Sequence, residues 1–198
     1  MIVRLLLFGM IAAMASASTV TYTFGGVSDG TVGTQGFTQA DFTIIFTSDT
    51  SDVSHPSAIP ADWSTPSGTP AIFMISGIGM GTLLDNQAVF VHPNPENDVG
   101  IWHYNSADFL AKQESVFSTY DLKSSLGPIS DGVNAWPAVF PGGAFNTSMG
   151  SLVLSNVSEL SFTADVTNVA RAPEPSTGML LSMGIGGIVL GTRFRKRK

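Results

Sequence analysis

Alternation of apolar and polar residues is the first pattern in the chain, and it predicts β-strands. Ser18–Phe24 places large apolar residues between threonines, and Phe37–Thr47 repeats the alternation. The apolar positions are Val20, Tyr22, Phe24, Phe42, Ile44 and Phe46. A period of two is typical of a strand with one face in a core and the other in solvent.

Shorter stretches with strand character follow, separated by turn residues such as Gly25-Gly26, Asp29-Gly30 and the run from Asp49 to Asp52. They are Thr31–Thr34, Thr69–Ser76, Thr82–Leu84, Gln87–His92, Val99–Tyr104, Val116–Leu122, and a closing hairpin of Gly150–Asn156 with Glu159–Thr167. About nine or ten short strands predict an all-β fold, an antiparallel β-sandwich or jelly roll, with a barrel as the alternative.

Three stretches depart from this pattern. Ser106–Glu114 is the one helix candidate, with Ser106 as its cap. His55–Gly68 and Ser124–Gly143 each contain three prolines, which central strands exclude, so both are predicted to be surface loops. Trp63 and Trp136 lie within these two stretches.

The first 17 residues predict a secretory signal peptide. Arg4 supplies the positive charge, Leu5–Met14 is the apolar region, and Ala15-Ser16-Ala17 is a small-residue cleavage site. The apolar run is too short for a transmembrane helix. We therefore expect an exported protein whose mature chain begins near Ser18.

The opposite end has three parts in a fixed order. Pro173-Glu174-Pro175 is extended and exposed, because proline restricts both itself and the residue before it. Ser176–Phe194 follows, and as a helix it would be roughly 28 Å long, enough to cross the membrane once. Five basic residues close the chain: Arg193, Arg195, Lys196, Arg197 and Lys198. Such a basic stop leaves the C-terminus in the cytoplasm and the body outside.

This combination of motif, glycine-rich span and basic tail in Ala172–Lys198 resembles the PEP-CTERM sorting signal of exported bacterial proteins. The resemblance implies processing by a membrane enzyme, an exosortase, with Pro173, Glu174 and Pro175 as recognition residues. It also implies a Gram-negative host that makes exopolysaccharide and biofilm. A plain membrane anchor is the alternative, but an anchor does not need the Pro-Glu-Pro motif.

Charge distinguishes the body from the two ends. The whole chain has a net charge of −6, whereas Ser18–Arg171 holds three basic and 14 acidic residues, a net charge of −11. Such a body is a poor partner for nucleic acid or anionic lipid. The chain has no cysteine, so the stability of this single domain of 154 residues must come from its core.

The sequence predicts no enzyme, no cofactor and no metal centre. Its three histidines, His55, His92 and His103, lack zinc-ligand spacing, and there is no Gly-x-Ser-x-Gly element for a serine nucleophile. Asn94–Asp98 is the best calcium-binding candidate, although a solvated turn explains it more simply.

Two functional hypotheses follow. The first is a non-enzymatic surface or matrix protein. The second is a carbohydrate-binding module in which Trp63 and Trp136 contact sugar rings from exposed loops, while Trp102 belongs to the core. Asn146 and Asn156 begin tripeptides of the N-glycosylation pattern, which in a bacterial protein carry little weight.

Overall fold

The computed structural model describes residues 18–55, 63–66, 69–93, 95–103, 108–130, 135–136 and 144–167. All of them belong to one compact unit, Ala17–Asn168. Antiparallel strands dominate these ranges, whose helical segments are two short 3₁₀ turns, Thr50–Asp52 and Ser115–Thr119. The prediction of an all-β fold is therefore confirmed.

Twelve strands occur in the described ranges. In chain order they are β1 Thr19–Val32, β2 Gln35–Asp49, β3 Trp63–Pro66, β4 Ile72–Ile75, β5 Gly79–Thr82, β6 Gln87–His92, β7 Asp98–His103, β8 Asp108–Gln113, β9 Leu126–Ile129, β10 Ala135–Trp136, β11 Phe145–Thr147 and β12 Gly150–Thr167. One sheet has the order β11-β12-β1-β2-β4-β5, with β9 also paired to β12. The other has the order β10-β8-β7-β6-β3.

The longest strands, β1, β2 and β12, form the centre of the seven-stranded sheet. Their buried positions include Val20, Tyr22 and Phe24, as the alternation predicts. The expected stop at Gly25-Gly26 is wrong, because β1 continues to Val32 through two register shifts. Gly26 permits this close approach, since a Cβ there would lie 2.8 Å from the Ser158 carbonyl oxygen.

Turns lie elsewhere than the short-range signals predict. Asp29-Gly30 is inside β1, and the chain reverses at Gly33, whose φ of +59° favours glycine. The closing hairpin is also wrong, because its two halves form the single strand β12. Asn156 and Glu159 take positive φ values of 49° and 52° there, so β12 is irregular without reversing.

Two further expectations are wrong. The helix candidate Ser106–Glu114 contains β8, paired with β7 on one side and β10 on the other. A helix of this length is marginal, whereas strand pairing on both sides satisfies the backbone. Conversely, the predicted strand Val116–Leu122 is wrong, because the 3₁₀ turn Ser115–Thr119 overlaps it and buries Phe117.

Both sheets contribute to one apolar core. Its members in the seven-stranded sheet include Phe24, Phe73 and Phe162, and those in the five-stranded sheet include Val91 and Ile101. Phe162 is central: its ring centroid lies 5.1 Å from that of Phe24 and 5.7 Å from that of Phe117. The core thus joins the two sheets and the 3₁₀ turn Ser115–Thr119.

A short connection links the two ends of the seven-stranded sheet. Leu83, directly after β5, forms an isolated bridge with Thr147 of β11. The Leu84 amide donates to the Asn146 carbonyl at 2.8 Å, and the Ser148 amide donates to the Thr82 carbonyl at 2.9 Å. These bonds protect the edges of β5 and β11, which would otherwise be unpaired.

Candidate functional sites

The sorting residues Pro173, Glu174 and Pro175 and the basic stop lie outside the described residues, as does the predicted signal peptide. The predicted transmembrane helix falls there too. Among the residues that the structure describes, no helix has the length and apolar character needed to cross a membrane.

The first and the last strand of the described fold, which follow the predicted signal peptide and precede the sorting motif in the chain, are neighbours in one sheet. β1 begins at Thr19 and β12 ends at Thr167, and these two residues are directly opposite each other in the sheet. Residues paired in this way have Cα atoms about 5 Å apart. The strand that follows the signal peptide and the strand that precedes the sorting motif therefore meet at one end of the body.

The turn Thr50–Asp52 completes this end. The Thr50 amide donates to the Ser18 carbonyl at 2.9 Å, which fixes the turn beside the start of β1. The Asp49 carboxylate caps the turn by accepting from the Ser51 amide at 2.7 Å. We call Ser18, Thr19, Asp49, Thr50–Asp52 and Thr167 the terminal end of the body.

The two tryptophans proposed to contact sugar are not in loops. Trp63 begins β3 and Trp136 ends β10, so they lie on the two edge strands of the five-stranded sheet. The three strands between them imply a separation of about 19 Å at roughly 4.8 Å per strand step. One sugar ring cannot contact both.

Register separates the two tryptophan positions further. Trp63 is opposite Val91 in the strand pairing. Trp136 is opposite Ala111, which is itself aligned with Gly100 and Phe90 across the sheet. These two rows are adjacent along the strands. Trp102 was expected in the core, but it is only half-buried and lies opposite Ala88, outside the core cluster.

Of the three histidines, His92 has a defined acidic partner. Its Nδ1 lies 2.9 Å from Asp98 Oδ1 across β6 and β7, and its ring centroid is 4.4 Å from that of Phe90. His55 is exposed after the Thr50–Asp52 turn. His–Asp pairing orients an imidazole, but catalysis also needs a nucleophile within reach of the ring.

Within the calcium candidate Asn94–Asp98, Asn94 lies outside the described residues, and polar groups of residues 96–98 form hydrogen bonds within the fold. Asp98 belongs to β7 and faces His92, while the Glu96 carbonyl accepts from Gln113 Nε2 at 2.6 Å. The Asn97 carbonyl accepts from the Glu114 amide at 2.9 Å. In the ranges described, no three His, Cys, Asp or Glu residues are grouped to hold a metal ion.

The two asparagines of the glycosylation pattern are clamped by carboxylates. Asn156 Nδ2 donates to Asp29 Oδ2 at 2.8 Å, and Asn146 Nδ2 donates to Asp85 Oδ1 at 2.9 Å. The Asn146 backbone amide also donates to Asp85, at 2.7 Å. The amide nitrogen that a glycan would need is thus engaged in both cases, and the role of each side chain is structural.

Hydrogen bonds change the pKa of the Asp29 carboxyl. The hydrogen bond from Asn156, and then that from the Gln39 amide, holds the pKa of the Asp29 carboxyl below its usual range. Tyr22 and Tyr120 shift the other way, because burial raises the pKa of each phenol and the charge of Asp121 adds to it. The Tyr22 hydroxyl donates to the Leu122 carbonyl at 2.6 Å, as expected for a neutral phenol.

Lys112 is a site that the sequence pattern did not reveal. It is 1% exposed, and its ammonium donates to the Ser130 carbonyl at 3.2 Å. Its partner in β7 is Val99, a core residue. A lysine is ordinarily assigned to solvent, so only the pairing of β8 with two neighbours shows that this one is buried.

Comparison with known proteins identifies the C-terminal end. Residues 171–198 match the family model of the PEP-CTERM protein-sorting motif, which confirms the resemblance. The match covers 28 residues and does not include the β-rich body. No curated protein and no solved structure matches the chain.

Proposed function

Because residues 171–198 carry a PEP-CTERM protein-sorting motif, we propose that this exosortase-sorted, exported protein is a non-enzymatic component of the cell surface or extracellular matrix. The motif match is the observation that carries the proposal. The role we propose for the body is retention in exopolysaccharide or biofilm outside a Gram-negative cell, after the tail has held the protein in the membrane.

We further infer that the body is a β-sandwich of jelly-roll type. The inference is supported by the two antiparallel sheets and by the single core cluster to which both contribute. The strands that cross the core are long. The acidic residues of the body favour a hydrated surface over contact with anionic polymers.

A non-enzymatic role agrees with what the described polar side chains do. Asp29 and Asp85 accept hydrogen bonds from asparagines, and Asp98 orients His92 beside the ring of Phe90. Each of these groups is explained by a structural contact. The proposal predicts that the purified protein has no hydrolase activity on ester, peptide or glycoside substrates.

The intact mass of the protein recovered from the envelope and medium of its native host tests the proposal. A mass lacking both Met1–Ala17 and the span after Pro175 is expected. A Glu174→Ala variant should accumulate in the membrane with its tail, because the recognition motif is damaged. Wild-type protein that retains Thr177–Lys198 would show that the tail is a lasting anchor, and the sorting function would be withdrawn.

Carbohydrate binding is the second proposal, and the positions of the tryptophans sharpen it. Because Trp63 and Trp136 are on opposite edges of one sheet, each must act at a separate contact point. Trp63→Ala and Trp136→Ala should therefore weaken binding to host exopolysaccharide independently. Binding that survives both substitutions together would remove this alternative.

A further inference from the structure

The methionines of the body are all at its surface. Ser18–Arg171 contains no cysteine and three methionines, Met74, Met80 and Met149, all of them within the described ranges. Their exposed fractions are 46%, 64% and 38%. Methionine is among the residue types most often buried, yet the core cluster of the described residues contains none. The body therefore combines a core without methionine and three methionine side chains that are open to solvent.

The three methionines are also grouped in space. Met74 in β4 is directly opposite Met80 in β5, and side chains paired in this way have Cβ atoms about 4.5–5.5 Å apart. Met149 belongs to the turn between β11 and β12, which is hydrogen-bonded to β5. Its methyl group lies 3.9 Å from the place that a Cβ on Gly79, the residue before Met80, would occupy. We call Met74, Met80 and Met149 the methionine group.

The methionine group forms most of the exposed apolar surface in this region. Six large apolar side chains of the described residues are exposed, and five of them lie on β4, on or directly after β5, or in the turn between β11 and β12: Ile72, Met74, Met80, Leu84 and Met149. A reaction that makes the three methionines polar would therefore change the character of the whole patch.

An exposed thioether reacts with a peroxide without help from other side chains. The sulfur lone pair attacks one peroxide oxygen, so that an S–O bond forms and the O–O bond breaks. The thioether loses two electrons and becomes a sulfoxide, and the proton of the transferred oxygen moves to the departing oxygen. Hydrogen peroxide is thereby reduced to water, and an alkyl hydroperoxide to an alcohol. Because the chain has no cysteine, no thiolate of its own competes for the oxidant.

We propose that the methionine group is a modification site at which peroxides oxidise the body to methionine sulfoxide, and that this modification makes the patch polar without unfolding the protein. A sulfoxide is polar, and its burial in an apolar core would be costly. All three sulfoxides would form outside the core cluster, so the fold is retained. Methionine sulfoxide reductases reverse the reaction by a two-electron reduction, so the apolar patch is recoverable. The proposal holds whether or not the tail is processed.

Treatment with hydrogen peroxide of the protein purified from its native host tests the site. Peptide mass spectrometry counts the oxygen atoms added, and fragment ions locate them. We expect the oxidation rate of each of the three methionines to lie within about tenfold of its rate in urea-unfolded protein, because susceptibility follows exposure. The midpoint of urea denaturation should be the same before and after oxidation.

Hydrophobic-interaction chromatography tests the change in polarity. Oxidised wild-type protein should elute earlier than untreated protein, and incubation with methionine sulfoxide reductases and a dithiol should restore its retention. The matched control is the triple variant Met74→Leu, Met80→Leu and Met149→Leu, which approximately conserves side-chain volume but has no thioether in the body. Peroxide should leave the retention of this variant unchanged.

Three results would overturn the proposal. The first is oxidation slowed by more than about tenfold in the folded protein at any of the three methionines, since that methionine would then be protected by the fold. The second is a lower midpoint of urea denaturation after oxidation. The third is an equal shift in retention for wild type and the triple variant. If the triple variant does not fold, the comparison of folded and unfolded wild-type protein still decides the question.

Discussion

The two sheets of the body bury their strands in different ways. Strands of the seven-stranded sheet place one face in the core and leave the other partly in solvent. In β4, for example, Phe73 and Ile75 are buried while Ile72 and Met74 are 38% and 46% exposed. In the five-stranded sheet, β6 is buried at five consecutive positions, Gln87–Val91. Its central strands are thus covered on both faces.

This difference determines where the body tolerates change. Positions on the outer face of the seven-stranded sheet lose little buried area when shortened, whereas every position in Gln87–Val91 loses contacts. Ala88, Phe90 and Ala111 are buried although none belongs to the core cluster. An average substitution in the five-stranded sheet should therefore lower the free energy of unfolding more than one in the seven-stranded sheet. The single largest loss is expected at a position in the shared core.

Phe162→Ala should have the largest effect. Phe162 is fully buried and its ring contacts those of Tyr22, Phe24, Phe117 and Tyr120. Removing it leaves a cavity between the two sheets, and we expect the free energy of unfolding to fall by about 3–5 kcal/mol. Urea denaturation measures the change. The control is Asp165→Ala, at an exposed position on the same strand, which should change the free energy of unfolding by less than about 0.5 kcal/mol.

Phe90→Ala tests the comparison between the sheets directly. Phe90 is 3% exposed and lies outside the core cluster. The free energy of unfolding lost on this substitution therefore reports how well the second face of the five-stranded sheet is covered. We expect a loss of about 3 kcal/mol. Ile72→Ala, on the outer face of the seven-stranded sheet, should cost less than about 1 kcal/mol. Equal costs for the two variants would show that the sheets do not differ as described.

The same difference explains which elements the sequence could predict. β1 and β2 alternate with a period of two because one face is solvated, and Val20, Tyr22, Phe24, Phe42, Ile44 and Phe46 were assigned to the correct face. β8 is buried on both faces from Phe109 to Lys112, so its pattern has no such period. A short apolar run of this kind cannot be distinguished from a helix by periodicity.

The remaining elements depend on contacts between residues distant in sequence, which a local pattern cannot predict. The positive φ values of Asn156 and Glu159 let β12 pass an irregular stretch that looks like a turn, and only its pairing with β1 shows that the strand continues. Trp63 and Trp136 lie among prolines, yet edge strands accept proline because one of their sides is unpaired. The sorting motif was found because three local features in sequence order suffice to define it.

Asn146→Ala tests the connection between the ends of the seven-stranded sheet. The substitution removes the side-chain bond to Asp85 Oδ1 but leaves the backbone bond to Asp85 Oδ2. We expect a loss of about 1 kcal/mol in the free energy of unfolding, the usual contribution of one such hydrogen bond. Hydrogen exchange should also be faster at the Leu84 amide, which donates to the Asn146 carbonyl. Unchanged exchange there would mean that the clamp does not support the connection.

The smallest effect is expected at Asp29, and pH reveals it. Because the bonds from Asn156 and Gln39 lower the pKa of the folded-state carboxyl, the folded protein binds fewer protons than the unfolded chain between the two pKa values. The contribution of Asp29 is therefore complete above the unfolded pKa of about 3.9 and is lost as pH falls through the folded value. Thermal unfolding of wild type and Asp29→Asn should differ at pH 7, and the difference should shrink as pH falls below the unfolded pKa of about 3.9. Asp52→Asn, at an exposed acid of the Thr50–Asp52 turn, is the matched control, and an equal pH dependence in both variants would rule out a specific role for the Asp29 clamp.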